Sequence, residues 1–402
     1  MQRAVITGLG TISALGNNAD EFWQSLIAGR CAIDVLPAMQ DITIGIGARI
    51  ADYDDSQYFT REDLGLLDRH SQYAIIAARE AVADAGLGVD DIDISEAAVI
   101  LGTGCGGKCT DEETYDTLYK RGRKRVHPLT IPRGMPSAGA SMVSKFLHTN
   151  GPAFVISTAC ASGAHATAQA VSMIRSGMAD VVITGGADAP FTYGLMKAWE
   201  ALKITSNDTC RPFSKKRSGI VLGEGAGMMV IESERHARQR GARVYAEVSG
   251  IGMSSDAGHI TRPDLTGITA AMENAIRDAG IDSNNIDYIN AHGTGTVLND
   301  ITETLGIKQV FGSHAFELAV SATKSMHGHA LGASSAMELI ATTLALYHNI
   351  IPPTVNFTDP DEECDLDYVP NHARQAVLDA AMSNSFAFGG CNAVIVLQSS
   401  SD

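Results

Sequence analysis

The sequence predicts an α/β protein built from two related halves, and three observations favour this class. Short apolar segments alternate with longer ones in which apolar side chains recur every three or four positions. The short segments carry little charge, which is typical of strands covered by helices on both faces. Residues 160–164 (CASGA) and 329–333 (HALGA) share a pattern of reactive residue, Ala, any residue, Gly and Ala. Chance could supply this match in a chain rich in Ala and Gly; a true repeat would divide the chain near Gly241, into 1–241 and 242–402.

The first half is expected to begin with a buried strand and a helix that ends at Gly29. In this helix apolar residues pair at a spacing of four. A second long helix ends before Gly86, and a third follows Cys160. The predicted strands of this half cover 4–7, 98–102, 154–157, 181–184 and 228–232, and its helices cover 18–28, 68–85 and 161–176.

The second half repeats the alternation. Its predicted strands cover 244–252, 286–291 and 392–397, and its predicted helices cover 267–279, 301–311 and 334–348.

Composition excludes several classes of protein. The chain has 30 Lys and Arg against 46 Asp and Glu, a formal net charge of −16, which argues against binding to nucleic acid or to an anionic membrane. Seven widely spaced cysteines without a CxxC pair predict neither disulfides nor a zinc ribbon. The uncharged run 146–174 is long enough to cross a bilayer, but its many polar residues predict burial in protein instead. We therefore expect a soluble, cytoplasmic protein.

Cys160 is a candidate nucleophile. It follows an apolar strand and opens a helix of small residues, so unpaired N–H groups and the positive end of the helix dipole are expected to favour its thiolate. Its own N–H could also stabilise an oxyanion. A free cysteine is, however, often only a small buried apolar residue, and this segment alone does not decide between the two roles.

Two histidine motifs occur in the second half, at 290–296 (NAHGTGT) and 325–329 (SMHGH). A lone histidine at a strand end is more often structural. Here His292 precedes a Gly-rich loop, Lys324 lies five residues before His329, and Glu338 lies nine after it. Cysteine with two histidines could also bind a metal, but no two ligands have a helix-face spacing and no second thiol is adjacent, so we predict no metal.

Four motifs together resemble the β-ketoacyl-[acyl-carrier-protein] synthase family, in its type II elongating branch. They are 158–163 (TACASG), 291–296 (AHGTGT), 323–329 (TKSMHGH) and 384–392 (NSFAFGGCN). Further matches at 210–214, 222–227 and 364–371 extend the resemblance over nearly the whole chain. Details at 197–201 (KAWEA) and 326–329 (MHGH) are similar to nodulation-protein-E-like synthases, which serve specialised acyl chains.

The resemblance implies a thiolase-like fold of five αβαβα layers with two duplicated halves. It implies a decarboxylating Claisen condensation of an acyl thioester with malonyl-[acyl-carrier protein], in fatty acid or related polyketide elongation. No cofactor is implied beyond the phosphopantetheine of acyl carrier protein, the expected partner. A homodimer through the N-terminal halves is expected, and a heterodimer with a paralogous subunit stays open.

The resemblance also assigns roles to residues. Cys160 is the nucleophile, and the N–H groups of Cys160 and Phe388 form the oxyanion site. His292 and His329 donate hydrogen bonds to the malonyl thioester carbonyl, and Lys324 orients them. The remaining implied positions are Glu338 and Asp300 for support, Thr294 and Thr296 for pantetheine, Phe386 and Phe388 for gating, and Cys105 and Met196 for the acyl tunnel.

Three departures from the family pattern bear on function. The stretch 60–70, where relatives often carry a basic helix for the carrier protein, has Glu62, Asp63 and Leu64 here instead. We expect carrier docking at the nearest basic cluster instead, although a charge run is often only a solvated loop; the cluster comprises Lys120, Arg121, Arg123, Lys124 and Arg125. Ala387 stands where Gly is common and could alter loop opening. Cys105 stands where a larger aliphatic residue often limits chain length, so longer or stiffer chains are expected.

Two rival interpretations remain at this stage. A thiolase also uses two cysteines and a histidine, but Cys391 follows the glycines that a thiolase cysteine would precede. A non-catalytic chain-length partner would resemble a synthase yet lack the nucleophile, which is present here.

Overall fold

The computed structural model describes residues 2–39, 41–88 and 93–400. Ten of its strands form one large mixed sheet, and two small two-stranded sheets flank it. The strands are β1 (Ala4–Ser13), β2 (Asp34–Val35), β3 (Ile46–Gly47), β4 (Ala98–Gly102), β5 (Ala153–Ile156), β6 (Val181–Asp188), β7 (Gly225–Ser233), β8 (Ala246–Ser255), β9 (Tyr288–Asn290), β10 (Ala319–Ser321), β11 (Ile350–Ile351), β12 (Arg374–Gln375), β13 (Ala380–Phe386) and β14 (Cys391–Gln398).

Every long helix predicted from the apolar periodicity is present, mostly with ends displaced by one or two residues. The largest displacement is at the predicted helix 301–311, which begins four residues earlier because the Thr296 side chain caps it. The helices are α1 (Ala19–Ile27), α2 (Arg61–Leu64), α3 (Arg69–Asp84), α4 (Lys108–Tyr115), α5 (Thr130–Gly134), α6 (Ala138–Leu147), α7 (Ser162–Ser176), α8 (Tyr193–Leu202), α9 (Glu234–Gln239), α10 (Leu265–Ala279), α11 (Val297–Phe311), α12 (Lys324–His327) and α13 (Ser334–His348).

The large sheet consists of two equivalent five-stranded parts. Its order is β10-β9-β13-β14-β8-β1-β7-β6-β4-β5. From the outer edge to the centre, the first part has the order β5-β4-β6-β7-β1 and the second has β10-β9-β13-β14-β8. When the five strands of each part are numbered in chain order, both orders read 3-2-4-5-1. The strand directions also agree, because β4 is parallel to β5 and β6 as β9 is to β10 and β13, while the remaining pairs are antiparallel. A short antiparallel contact between β1 and β8 joins the parts. The predicted duplication is confirmed.

The helices and the two halves of the sheet form five layers in the order α, β, α, β, α, and three apolar cores fill the space between them. The central core holds α7 and α13 between the two halves of the sheet. The second packs α3 and α6 on the outer face of the first half, and the third packs α10 and α11 on the outer face of the second. Neighbouring strand residues alternate between cores: Met229 and Ile231 face the centre, whereas Met228 and Val230 face outward. The predicted thiolase-like αβαβα architecture is confirmed.

The internal repeat has a different register from the one predicted. Ala159 and Leu331 both have a φ of 50°, α7 and α13 both begin three residues later, and both end at a left-handed residue, Gly177 or Asn349. In all three pairs, the residue of the second half lies 172 positions after its counterpart in the first half (331 − 159 for the turn). Cys160 therefore corresponds to Gly332, and the predicted equivalence with His329 is wrong by three residues. Ala and Gly occur at several positions before both helices, so the two segments can be aligned in more than one register. The wrong register differs from the correct one by three residues, almost one helical turn.

The run 146–174 ends α6 and forms β5, the turn at Cys160 and most of α7. Its predicted burial holds for the turn and α7, whereas the part before the turn is largely at the surface, with Pro152, Ala153 and Phe154 exposed. Within the described residues, no helix is both long and apolar enough to cross a membrane.

Glycine allows α7 to approach its neighbours closely. A Cβ atom added to Gly163 would lie 2.9 Å from the Cβ of Ala336 on α13. A Cβ on Gly102 of β4 would lie 2.4 Å from the backbone nitrogen of Gly163. Cβ atoms do not approach other heavy atoms this closely, so side chains at these two positions would move the helix that carries Cys160.

We predict that Gly163→Val lowers the free energy of unfolding by about 1–3 kcal/mol, because the added methyl groups overpack the contact between α7 and α13. Gly45→Ala is the matched control: a Cβ there has no neighbour within 4 Å, and we expect a change below about 0.5 kcal/mol. Urea unfolding of both variants measures the difference. Equal stabilities would contradict the dependence on close approach.

Candidate active site

Cys160 lies in a sharp turn between β5 and α7. A short 3₁₀ turn, Ala159–Ala161, precedes the helix, and Ala159 occupies the left-handed region at a φ of 50°. A non-glycine residue in this region costs roughly 1–2 kcal/mol, so packing must hold the turn in place. The Cys160 side chain is only 6% exposed. The turn directs its sulfur toward the second half of the protein.

The second half contributes two imidazoles to this point. His292 follows β9, and His329 follows α12. The sulfur of Cys160, one ring nitrogen of His292 and one of His329 all lie within 4.8 Å of one another. The two rings are nearly perpendicular, with centroids 5.7 Å apart. The structure thus brings together the three residues that the sequence motifs singled out.

Hydrogen bonds assign the same tautomer to both rings. The N–H of Leu331 donates to Nδ1 of His329 at 3.1 Å, so this nitrogen is an acceptor. Nδ1 of His292 lies 3.3 Å from Nζ of Lys324, which can only donate. Each neutral ring therefore carries its proton on Nε2. Nε2 of His329 is buried and has no partner among the described residues.

Both histidines are neutral at physiological pH. Burial lowers the pKa of His292 and of His329 well below the usual value, and the nearby Lys324 charge lowers each pKa further. A neutral ring whose Nε2–H is held in one direction donates a hydrogen bond at pH 7. It does not act as a general acid, because it lacks the additional proton of an imidazolium. The pair is suited to polarise a carbonyl oxygen.

Lys324 is completely buried between His292 and Glu338. Its Nζ donates to the carbonyl of His292 at 2.6 Å and forms an ion pair with the Glu338 carboxylate. Burial raises the pKa of Glu338 to about 7, and the Lys324 charge opposes this rise. Breaking such a buried pair is costly, so it fixes His292 relative to α13.

Two carboxylates that sequence reasoning did not select also shape the site. Glu303 accepts the N–H groups of His292 and Gly293, both at 2.8 Å. Asp188 accepts the N–H groups of Gly104 and Cys105, at 2.7 and 3.0 Å, and that of Gly332 at 2.7 Å. Asp188 is a buried acid at the end of the otherwise uncharged strand β6, a signal that the sequence does contain, whereas Glu303 lies among polar residues of α11 and gives no such signal.

Asp300 lies on α11, one turn before Glu303, and does not contact the histidines. It accepts the N–H of Phe213 at 2.8 Å and lies 3.6 Å from Nε of Arg217. Burial raises the pKa of Asp300 to about 7. Asp300 therefore ties the loop at Phe213 to α11.

The sulfur of Cys160 and the ring nitrogens of His292 and His329 are close enough together to hold a cation. The protons on the two Nε2 atoms oppose metal binding. Coordination would require each Nε2 to lose its proton, and Nδ1 cannot accept that proton because a donor already occupies it. The buried Lys324 charge beside His292 would also repel a cation. The donor set is suited to binding an oxygen atom.

The resting form of Cys160 is the thiol. Burial raises its pKa to about 11, although the Lys324 charge and a hydrogen bond from the Phe388 N–H both favour the thiolate. The thiolate expected from the helix N-terminus is therefore not the resting form, because desolvation outweighs these contributions.

Two cavities meet at Cys160. The outer cavity, about 440 Å³, leads to the surface and is lined by Thr294, Thr296 and Phe386 as well as by both histidines. The hydroxyl oxygens of the two threonines lie 2.9 Å apart. The cavity on the other side of Cys160, here called the inner cavity, is about 200 Å³ and is lined by Cys105, four apolar residues of α8 and the turns at Ala159 and Leu331. Its α8 side reaches the surface, because Ala198 and Leu202 are exposed. Phe388 borders both cavities.

Met196 and Ala387 occupy positions that differ from the expectations. Met196 is completely buried in a cluster with Leu36 and Trp199 and is not part of the inner cavity's lining, which its neighbour Leu195 joins instead. Ala387 has a φ of −107°, an extended conformation open to any residue, so it causes no strain here. The positive φ angles of this loop fall on Gly389 and Gly390.

The basic cluster is weaker than its sequence suggests. Lys120 and Arg121 both form ion pairs with Asp116, which neutralises part of their charge. Arg123, Lys124 and Arg125 are exposed and form no ion pair in the described part of the chain. Lys203 and Arg262, which the sequence analysis did not select, line the outer cavity.

Comparison with known families decides the identity of this site. Residues 1–237 match the model "Beta-ketoacyl synthase, N-terminal domain", and residues 245–358 match "Beta-ketoacyl synthase, C-terminal domain". The chain belongs to the β-ketoacyl synthase family. The resemblance found in its motifs is thereby confirmed.

Similar proteins place the chain among ketosynthases over its full length. It is 47% identical to "Nodulation protein E" of Rhizobium leguminosarum bv. trifolii, with 99% of each chain covered. It is 42% identical to "3-oxoacyl-[acyl-carrier-protein] synthase 2" of Coxiella burnetii, with 98% of each covered. Among solved structures, "The ishigamide ketosynthase/chain length factor" aligns over 100% of both chains with a TM-score of 0.95 and 36% identity. A β-ketoacyl synthase from Burkholderia phymatum aligns equally completely, with a TM-score of 0.93 and 33% identity.

As a β-ketoacyl synthase, the protein is an acyltransferase that condenses acyl units in fatty acid or polyketide-type chain elongation. The thiolase alternative is thereby set aside.

We predict that alkylation of Cys160 by iodoacetamide accelerates about tenfold per pH unit up to at least pH 9, because only the thiolate reacts and its pKa is raised to about 11. Lys324→Met should slow the reaction severalfold at a given pH, since the Lys324 charge lowers that pKa. Peptide mass spectrometry gives both rates, with the exposed Cys31 as internal reference. A rate that levels off below pH 9 would contradict the prediction.

Proposed function

We propose that this ketosynthase condenses an acyl thioester with malonyl-[acyl-carrier protein] and releases carbon dioxide and 3-oxoacyl-[acyl-carrier protein]. One observation carries the proposal: a buried thiol faces two fixed imidazole N–H donors at the junction of an outer and an inner cavity. The thiol belongs to the half 1–241 and the histidines to the half 242–402, so the reaction takes place between the halves.

The first step is acyl transfer to Cys160. Its sulfur attacks the thioester carbonyl, and the N–H groups of Cys160 and Phe388 bind the oxyanion that forms. The carbon–sulfur bond to pantetheine then breaks, and the pantetheine sulfur takes the proton that the thiol loses. The acyl chain enters the inner cavity past Cys105, while Thr294 and Thr296 contact the pantetheine arm in the outer cavity.

The second step is decarboxylation. Nε2–H of His292 and of His329 donate to the malonyl thioester carbonyl. The bond to the carboxylate breaks, carbon dioxide leaves, and the electron pair forms an enolate that the two donors stabilise. The enolate carbon attacks the acyl group on Cys160. A carbon–carbon bond forms, the bond to the Cys160 sulfur breaks, and the sulfur leaves as a thiolate that takes up a proton.

The surrounding residues act through these groups. Lys324 holds His292 in its tautomer and orientation, and Glu338 compensates its charge. Asp300 supports the loop beside α11, and Phe386 and Phe388 control access to the sulfur. Because the substrates arrive on phosphopantetheine, the reaction needs no further cofactor or metal. Met196 is buried behind the inner cavity, so its contribution to the acyl tunnel would be indirect.

The physiological acyl chain is proposed to be a specialised one. Nodulation protein E sequences share 44–47% identity with this chain, whereas the synthase 2 sequences share 39–42%. The small Cys105 side chain in the inner cavity supports acceptance of longer or stiffer chains.

Acyl carrier protein is the proposed partner, and a second chain completes the assembly. One neighbour is a ketosynthase in complex with its acyl-carrier protein, and another is paired with a chain length factor. β5 lies at the edge of the large sheet and exposes Phe154, which supports pairing of N-terminal halves in a homodimer or with a paralogous subunit. Seven free cysteines favour a reducing, cytoplasmic location.

A non-catalytic chain-length partner is the second candidate, since chain length factors occur among the structural neighbours. The complete set of thiol, two imidazoles and lysine favours the enzyme.

We predict that incubation with an acyl-[acyl-carrier protein] adds one acyl mass to Cys160 and that Cys160→Ala abolishes the adduct. His329→Ala should retain acylation but slow condensation by roughly 10²–10³-fold, because it removes one oxyanion donor. Intact-protein mass spectrometry and a product assay measure the two steps separately. A wild-type protein without an adduct would instead support the chain-length partner.

Carrier docking can be assigned by charge reversal. We predict that Lys124→Glu with Arg125→Glu raises the KM for carrier-bound substrate roughly five- to tenfold while sparing a pantetheine analogue. Lys203→Glu with Arg262→Glu tests docking at the cavity mouth in the same way. Arg235→Glu with Arg238→Glu, on exposed α9, is the matched control. Equal effects on carrier-bound and pantetheine substrates would contradict docking at 120–125.

A further inference from the structure

The passage between the two cavities is bordered by three residues: Cys160, Leu202 and Phe388 each belong to the lining of both. The acyl group must pass this point to reach the inner cavity, and the sulfur that carries it lies in the passage. Phe388 has the largest side chain of the three, so its position determines whether the passage is open.

One face of α8 forms a wall of the inner cavity. Leu195, Ala198, Trp199 and Leu202 all line it, and their spacing of three, four and seven residues places them on one side of a helix. Trp199 is 8% exposed, and its ring lies against Phe388, with centroids 6.1 Å apart and planes inclined by 32°. The largest side chain of the cavity wall thus lies against the largest of the side chains that border the passage.

The backbone beyond Phe388 is anchored: the N–H of Gly389 donates to the Ile260 carbonyl at 2.7 Å, and the Gly390 carbonyl accepts from the N–H of Asp256 at 3.0 Å. Movement of Phe388 is therefore a movement of its side chain. Gly389 and Gly390 have φ angles of 81° and 72°, and a Cβ atom on Gly389 would have no neighbour within 4 Å. The N–H of Phe388 lies near enough to the Cys160 sulfur to lower the pKa of the thiol, whereas the Phe388 ring is held by apolar contacts. One of these contacts is aromatic, the contact with Trp199. An aromatic pair of this kind shifts the equilibrium between the held and the displaced Phe388 side chain by roughly two- to tenfold.

We propose that Trp199 is a positioning residue that selects acyl chains by length: it holds Phe388 across the passage until a chain long enough to cover the indole takes the place of Phe388. The first carbons of the chain, next to the thioester, lie against Trp199, so the selection acts at the entrance of the inner cavity as well as at Cys105. This inference rests on the proposed function, because it requires an acyl group on Cys160.

The chain contains two tryptophans, which makes a direct optical test possible. Trp23 packs against His348 on α13, in the central core, with centroids 5.4 Å apart. Trp23→Phe therefore leaves Trp199 as the sole tryptophan. We expect a decanoyl group on Cys160 to shift the emission of this variant, because the chain replaces Phe388 against the indole. An acetyl group is too short and should leave the emission unchanged.

Substitutions of Trp199 test the contact by kinetics. Trp199→Leu should accelerate acylation of Cys160 by acetyl thioesters roughly two- to tenfold, since Phe388 is no longer held across the passage. The ratio of decanoyl to acetyl acylation rates should fall by the same factor. Trp199→Phe retains an aromatic contact and should stay within about twofold of the wild type. Urea unfolding shows whether each variant is folded.

The outcomes are distinct. Equal emission changes with acetyl and decanoyl groups, or none with either, would overturn the proposal, as would a Trp199→Leu variant whose two acylation rates fall in parallel with its stability. Failure of wild-type Cys160 to accept any acyl group, read by mass spectrometry, would instead refute the proposed function itself.

Discussion

The contact between α7 and α13 is the constraint on which the site depends. The two helices pack in the central layer, between the halves of the sheet, and each begins directly after a short 3₁₀ turn. Gly163 and Ala336 set their separation. Because Cys160 belongs to one turn and His329 precedes the other, the distance between sulfur and imidazole follows from this packing. A displacement of either helix would be transmitted directly to the reacting atoms.

Burial of charge is the second constraint. Lys324, Glu338, Glu303 and Asp188 lie in the interior, and each has partners of opposite charge or several N–H donors. Such groups are costly to bury, but they hold backbone and rings in directions that apolar contacts leave free. Here Lys324 determines which nitrogen of the His292 ring carries the proton, whereas the backbone N–H of Leu331 does so for His329.

The sequence contained the fold class, most long elements and the reactive residues, because these leave local signals: periodicity, caps and motifs of unusual composition. It did not reveal Glu303 or Asp188 as part of the site, because their partners are backbone N–H groups, which leave no side-chain signal; those of Asp188 also lie 83 to 144 residues away along the chain. The repeat was misaligned by three residues because small residues precede both helices, and only dihedral angles distinguish the registers. The charge of Lys120 and Arg121 was overestimated because their partner, Asp116, is identified only once the π-helical turn at 116–120 is known.

Ala159 and Leu331 adopt the same left-handed conformation at equivalent places in the two halves. Only the first is followed by a nucleophile; the second is followed by Gly332. If the strained turn existed to present a reactive side chain, the half without one would have no reason to keep it. The turn is therefore a requirement of the architecture, the route by which the chain enters a helix packed between two sheets. The chemistry exploits a geometry that folding already maintains, which explains how one copy of a duplicated unit could lose or gain reactivity without a change of fold.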